Sequence, residues 1–241
     1  MDDFQAILER ISQDSLPSVF FSCEIDDEGV KALTEVIKIK TNLESLSLVN
    51  NKKITDEGVE ALADALMVKT NLERLEISFN EIKDEGAKYI AEALKVNASL
   101  QSLNLDGNEI ADKGARNLAE ALKVNTTLQS LSLDDNKIND NGVIAIANAL
   151  MQNKSLEKLN LGDNKISSKG AEALVGLLRV NRNIIEIDLS DNCISPEVIE
   201  EINNELIKNA KNKNSRPKTT TKPVDMQKIL NGIGRMLETN R

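Results

Sequence analysis

The sequence predicts an α/β protein built as a solenoid, a horseshoe with a parallel sheet on its concave face and helices on its convex face. Three observations predict it. One phrase returns at a fixed period, its apolar residues switch from strand spacing to helix spacing, and aromatics make up only 2% of 241 residues. The core must therefore be aliphatic, assembled from Leu, Ile, Val and Ala unit by unit.

The period is read from the residue that opens each phrase. Leu43, Leu72, Leu100, Leu128, Leu156 and Ile184 stand 29, 28, 28, 28 and 28 residues apart. Three residues on come Leu75, Leu103, Leu131, Leu159 and Ile187, and five on come Ile77, Leu105, Leu133, Leu161 and Leu189. That alternation marks a short strand with one face buried. Asn80, Asn108, Asn136, Asn164 and Asn192 follow, each two residues before Ile82, Ile110, Ile138, Ile166 or Ile194. An Asn at a chain turn can bond the backbone groups that a departing strand leaves unpaired.

Gly86, Gly114, Gly142 and Gly170 come next, preceded two residues earlier by Asp84, Asp112, Asp140 and Ser168; Asp56 holds the equivalent place one unit earlier. Those Asp and Ser residues are expected to be the N-caps of their own helices. Apolar pairs such as Leu118 and Leu122, four residues apart, then mark one helical face. Each unit is thus a strand, a turn and a helix returning antiparallel to the strand. One unit cannot bury both its strand face and its helix stripe, whereas stacked units can.

The phrase LxxLxLxxNxIxxxGxxxLxxAL, as in "EALKVNASLQSLNLDGNEI", resembles the ribonuclease-inhibitor class of leucine-rich repeat over residues 16–209. That class includes the Ran GTPase-activating protein, the C-terminal domain of tropomodulin and the repeat arrays of NOD-like receptors. The resemblance implies a right-handed leucine-rich-repeat horseshoe and leaves three roles open: a protein-binding scaffold, a small-GTPase activator, or an actin and cytoskeletal regulator. No local functional motif accompanies the scaffold, so no residue roles carry over. A fourth possibility is a bacterial effector with a host-like repeat domain.

The domain organisation follows. Residues 1–24 form an N-terminal capping helix, with Phe4, Ile7, Leu8 and Ile11 on one stripe, and a strand in "SVFFS". Residues 25–209 are the array. The unit at Leu43 carries an extra residue in "NNKKI", which should bulge a surface loop. The last unit starts its helix with Ser195 as cap and Pro196 in the first turn, and ends the array as a polar cap. Residues 210–223 are a basic linker whose composition cannot bury area. Residues 224–241 follow as an amphipathic helix or tail, with Met226, Ile229, Leu230, Ile233 and Leu237 on one stripe. Ile229, Leu230 and Ile233 are its candidate contacts.

The charge divides along the same line. Residues 207–241 hold nine Lys or Arg against Asp225 and Glu238, a net +7, which leaves −16 on residues 1–206 of a chain whose total is −9. The basic residues have no aromatics among them, which argues against specific nucleic-acid recognition.

Chemistry of several kinds is excluded or unsupported. The chain has no His, which removes Ser-His-Asp and Cys-His catalysis and imidazole zinc sites. Cys23 and Cys193 form no CxxC pair and fit a reducing compartment. "DDNKINDNG" fails as a calcium loop, because counting from Asp134 puts core Ile138 at the fifth position. Asn97, Asn125 and Asn153 open N-x-S/T sequons but share one repeat position, so they belong to the template. No secretory signal and no run long enough for a membrane span is present. The expectation is a non-catalytic, cytoplasmic, monomeric protein without cofactor.

Function is then expected in the variable positions. Helices are about 10 Å apart where strands are about 4.8 Å apart, so the array bends with its sheet inside. Seven strands give a concave span on the order of 30 Å, suited to a protein partner. Three columns face it: Ser47, Glu76, Asn104, Ser132, Asn160 and Asp188; then Val49, Ser78, Asp106, Asp134, Gly162 and Ser190; then Asn50, Phe79, Gly107, Asp135, Asp163 and Asp191. They hold acids and no base, which points to a basic partner. Phe79 stands where its equivalents are Asn, Gly and Asp and is a candidate anchor. The site residues are Glu76, Phe79, Asn104, Asp106, Asp134, Asn160, Asp163 and Asp188.

Overall fold

The computed structural model describes residues 8–12, 17–21, 25–39, 42–68 and 70–212. Seven three-residue strands form one parallel sheet in sequence order: β1 (Ser18–Phe20), β2 (Ser45–Ser47), β3 (Arg74–Glu76), β4 (Ser102–Asn104), β5 (Ser130–Ser132), β6 (Lys158–Asn160) and β7 (Glu186–Asp188). Between and after them run α1 (Asp27–Lys38), α2 (Asp56–Met67), α3 (Asp84–Leu94), α4 (Asp112–Leu122), α5 (Asp140–Leu150), α6 (Ser168–Val180) and α7 (Pro196–Asn212). Each helix packs on its neighbours in the array, as a solenoid requires. The register is unbroken: Val19, Leu46, Leu75, Leu103, Leu131, Leu159 and Ile187 are cross-strand partners in turn. Ser18–Phe20, the opening of the "SVFFS" that departs from the template in sequence, is nevertheless a regular first strand.

The core is one continuous column, aliphatic except for the fully buried Phe21, from Leu8 and Ile11 at the helical segment 8–12 to Ile202 on α7. Alanines such as Ala91, Ala93, Ala119 and Ala121 are buried on the helices and let adjacent helices approach closely. The extra residue near Leu43 is absorbed locally. Ile54 donates its N–H to the Asn51 carbonyl at 2.8 Å, Lys52 and Lys53 stay exposed, and Ile54 regains its core place.

Two asparagine ladders tie the units together. In one, the backbone N–H groups of Ile25, Ile82, Ile110, Ile138 and Ile166 donate to Oδ1 of Asn51, Asn108, Asn136, Asn164 and Asn192, at 2.8–3.1 Å. In the other, Nδ2 of Asn97, Asn125, Asn153 and Asn181 donates to the carbonyls of Leu66, Leu94, Leu122 and Leu150, 31 residues back. Asn209 on α7 extends this ladder by donating to the Asn181 and Ile184 carbonyls. The three sequon asparagines are therefore buried structural members of the array.

One expectation is corrected. Asp56, Asp84, Asp112 and Asp140 do not cap their own helices; each is the first helical residue and its carboxylate caps the helix of the next unit. Asp84 Oδ1 accepts from the Ala111 and Gly114 N–H groups at 2.8 Å, and Asp112 Oδ1 accepts from Asn139 and Gly142 at 2.8 and 3.0 Å. The N-cap residues themselves are Thr55, Lys83, Ala111, Asn139 and Ser167, and Lys83, Ala111 and Asn139 make no side-chain cap bond. Ser168 likewise reaches forward, accepting from the Ser195 N–H at 2.8 Å. The glycines are explained by the same contact. A Cβ on Gly142 would lie 2.7 Å from Asp112 Oδ1 and 2.7 Å from Ile138 Cγ2.

Residues 213–241, with most of the linker and the whole tail stripe of Ile229, Leu230 and Ile233, lie outside the described residues, as do Phe4, Ile7 and Cys23. Helix α7 runs to Asn212, beyond residue 209 where the array was expected to close. Among the described residues no helix is long and apolar enough to cross a membrane.

Candidate protein-binding face

The strand pleat builds the face. The central residue of each strand enters the core, and the first and third point into the concavity. The column of third residues runs Phe20, Ser47, Glu76, Asn104, Ser132, Asn160 and Asp188 in paired register.

Several of these side chains are held by local bonds. Glu76 Oε2 accepts from the Ser47 hydroxyl at 2.9 Å. Asn104 and Asn160 accept through Oδ1 from the N–H two residues on, of Asp106 and Gly162, at 2.8 and 3.0 Å. Asp188 accepts both the N–H and the hydroxyl of Ser190. These bonds repeat because the chain turns off each strand in the same way, so part of the polar column serves the frame.

The acids concentrate at the middle and C-terminal end. Asp106 accepts from the Asp134 N–H at 2.9 Å, which sets adjacent carboxylates side by side. Burial raises the Asp106 carboxyl above its ordinary value. At Asp134, burial and then the charges of Asp106, Asp188, Asp135 and Asp163 push the pKa up to about 6. Glu76 lies further toward the N-terminal end and is half-buried, while Asp163 is exposed. Among the described residues no group of His, Cys, Asp or Glu is arranged to hold a metal ion.

The third column has a conformational signature. Asn50, Phe79, Asp135, Asp163 and Asp191 all have positive φ, as does Gly107. This is the left-handed turn that takes the chain off the strand, a place that Asn, Asp and Gly tolerate and Phe does not favour. Phe79, at φ 58, has its ring against the next unit: a Cβ on Gly107 would overlap it. The residue as a whole is still 49% exposed.

Two features escape the three-column reading. The column of first strand residues carries Arg74 and Lys158, so the sheet face does contain bases. They stand beside acids: Lys158 pairs with Glu186 at 2.7 Å, and Arg74 lies 3.5 and 4.0 Å from Glu73 and Glu44. The signal was present in the alternation, since residues i and i+2 of a strand share a face. The second is Phe20, 61% exposed at the head of the Glu76 column. It lies in the one strand whose sequence does not follow the template.

With this geometry, the likenesses to known proteins can be placed. Residues 26–136 match the family model of the TMOD/LMOD leucine-rich domain, and residues 152–175 and 180–201 match a leucine-rich-repeat model. No curated protein matches the chain in sequence. Among solved structures, the chain is similar to one described as leiomodin-1 actin-binding site 2, at 19% identity and TM-score 0.51, with 97% of each chain covered. Others are an internalin from Listeria monocytogenes (22% identity, TM-score 0.49, 80% of this chain and 54% of that one) and the tropomodulin C-terminal domain of Caenorhabditis elegans (15%, 0.46, 88% and 95%). The two repeat models together span well over half of a chain whose seven strands share one register and whose turn asparagine recurs in six units: it belongs to the leucine-rich-repeat proteins.

Proposed function

We propose that the protein is a non-catalytic, cytoplasmic binding module that holds a partner protein on its concave face through a basic surface of that partner. The observation that carries this is the gathering of Asp106, Asp134, Asp163 and Asp188 on one face, where burial first, and then the neighbouring carboxylates, lift the Asp134 pKa to about 6. Like charges held together at a cost in stability are relieved by a cationic ligand, and the same field accelerates its arrival. The broad, open sheet suits a protein better than a small molecule.

A second reading has a specific observation behind it. The match of residues 26–136 to the TMOD/LMOD leucine-rich domain, with a leiomodin structure described as an actin-binding site among those of similar fold, supports an actin-related role. The two readings meet if actin, or an actin-associated protein, presents the basic surface.

Actin binding by the full chain tests both, using co-sedimentation with filaments and a monomer-binding assay. The comparison is a variant with Glu76→Gln, Asp106→Asn, Asp134→Asn, Asp163→Asn and Asp188→Asn. Binding that the substitutions abolish supports an actin partner on the concave face. Binding that survives them moves the contact to the edges or helices. No binding by the parent chain removes the actin reading and leaves the basic-partner reading to stand on other ligands.

A further inference from the structure

The concave face has a direction. At its N-terminal end Phe20, Val49 and Phe79 lie on a diagonal, each one strand and one column on from the last. Phe20 and Phe79 are both exposed, unlike the aliphatic residues that fill the core. From β4 onward the same three columns hold only Asp, Asn, Ser and Gly. The face thus carries its apolar side chains over β1–β3, among Ser47, Asn50 and Glu76, and its aspartates over β4–β7, with the two centres roughly 17 Å apart at the strand spacing.

The chain's own C-terminal segment carries the complementary order. Residues 208–222 contain six Lys or Arg and no acid, and Met226, Ile229, Leu230, Ile233 and Leu237 follow. Helix α7 ends at Asn212, behind β7, at the acidic end. A chain leaving there meets the acids first and the aromatic patch last. Residues 213–225 can span roughly 43 Å at about 3.3 Å each. The path needs roughly 24 Å across the strands from β7 to β2, and about 10 Å more to round the helix layer.

We propose that residues 213–241 dock in cis on the concave face, with the lysines over Asp134, Asp163 and Asp188 and with Ile229, Leu230 and Ile233 against Phe20 and Phe79. This rests on the reading of that face as the binding surface and names its occupant when no partner is bound. A basic partner then binds by displacing the segment, so its affinity reports the competition.

The chain has no Trp and one Tyr, so Leu230→Trp in the full chain is a sole indole reporter, excited selectively at wavelengths that Tyr89 does not absorb. The expected result is blue-shifted emission that moves to that of a solvent-exposed indole on adding Phe20→Ser and Phe79→Asn. Ser and Asn stand at the equivalent positions Ser47 and Asn50, so the frame accepts both. An exposed-indole spectrum in the reporter chain, or a shift that ignores the two substitutions, overturns the proposal. A shift that grows with protein concentration shows docking on a second copy and also overturns it. Binding of a lysine-rich peptide to the same chain is scored separately. If the peptide binds at the acids while the reporter stays exposed, only this proposal falls. If the reporter responds but the peptide ignores the acids, the docking of the segment stands, and the basic-partner reading falls together with the displacement of the segment by such a partner.

Discussion

At the scale of single residues, two aspartates of the same chemistry act on stability with opposite sign. Asp140 is held below its ordinary carboxylate value, first by the Ser167 hydroxyl bond. Its contribution is therefore present above that ordinary value and lost as the pH falls through the lowered one. Asp134 is raised from 3.8 to about 6, so the unfolded chain releases its proton first. Stability then declines as the pH rises from about 4 to about 6 and stays lower above that. Two pKa units correspond to about 3 kcal/mol, and screening at this partly exposed site reduces that to on the order of 1 kcal/mol. Asp134→Asn should accordingly stabilise the chain by on the order of 1 kcal/mol near neutral pH and flatten the decline, read by urea unfolding across pH. At Gly142, substitution by Ala forces a methyl against Asp112 Oδ1 and Ile138, and should cost about 1–3 kcal/mol in the same assay. The D-x-G spacing that carries this contact was visible in the sequence. Its direction was not, because a side chain at the first helical position can bond its own turn or the next unit, and only the stacking distance decides.

At the scale of elements, helix and strand identities were legible because each unit repeats the same apolar offsets, and errors in one unit are corrected by the others. β1 was the weakest expectation for the same reason: it has one copy and no template match, and its outward Phe20 went unnoticed with it. The asparagine ladders show why the letters most constant across units serve the frame. Asn125 donates to the Leu94 and Asn97 carbonyls and accepts from the Thr127 and Leu128 N–H groups, all in a buried site. Asn125→Ala should cost about 2–3 kcal/mol, since several buried backbone groups lose their partner at once. Asn209→Ala tests the terminal unit. It removes the bonds to the Asn181 and Ile184 carbonyls and the Arg182 contact at 2.8 Å. Native-state hydrogen exchange should then speed in α7 while α3–α5 keep their protection, as expected where units contact only their neighbours.

At the scale of the whole molecule, strand order, layer arrangement and curvature all follow from one period, and they were readable before any coordinate. The electrostatics were only half readable. Summing charges gives −16 for residues 1–206, yet the sum does not say that Lys158 is paired with Glu186 or that the concave acids crowd each other. Those facts depend on neighbours roughly one period away in sequence and on how side chains turn in the pleat. We propose that the repeat frame is architecture and that the acidic concave columns are the binding surface. The measurement that tests it is the affinity of a lysine-rich peptide for the full chain at physiological salt, compared between two charge-matched variants. One neutralises Glu76, Asp106, Asp134, Asp163 and Asp188 as amides. The other neutralises Glu28, Glu57, Glu60, Asp64 and Glu92, which are exposed on the convex helices. The concave variant should lose about tenfold or more in affinity while its stability rises, and the convex variant should bind within about twofold of the parent. Equal losses in the two variants would contradict it, because the peptide would then be answering to net charge alone.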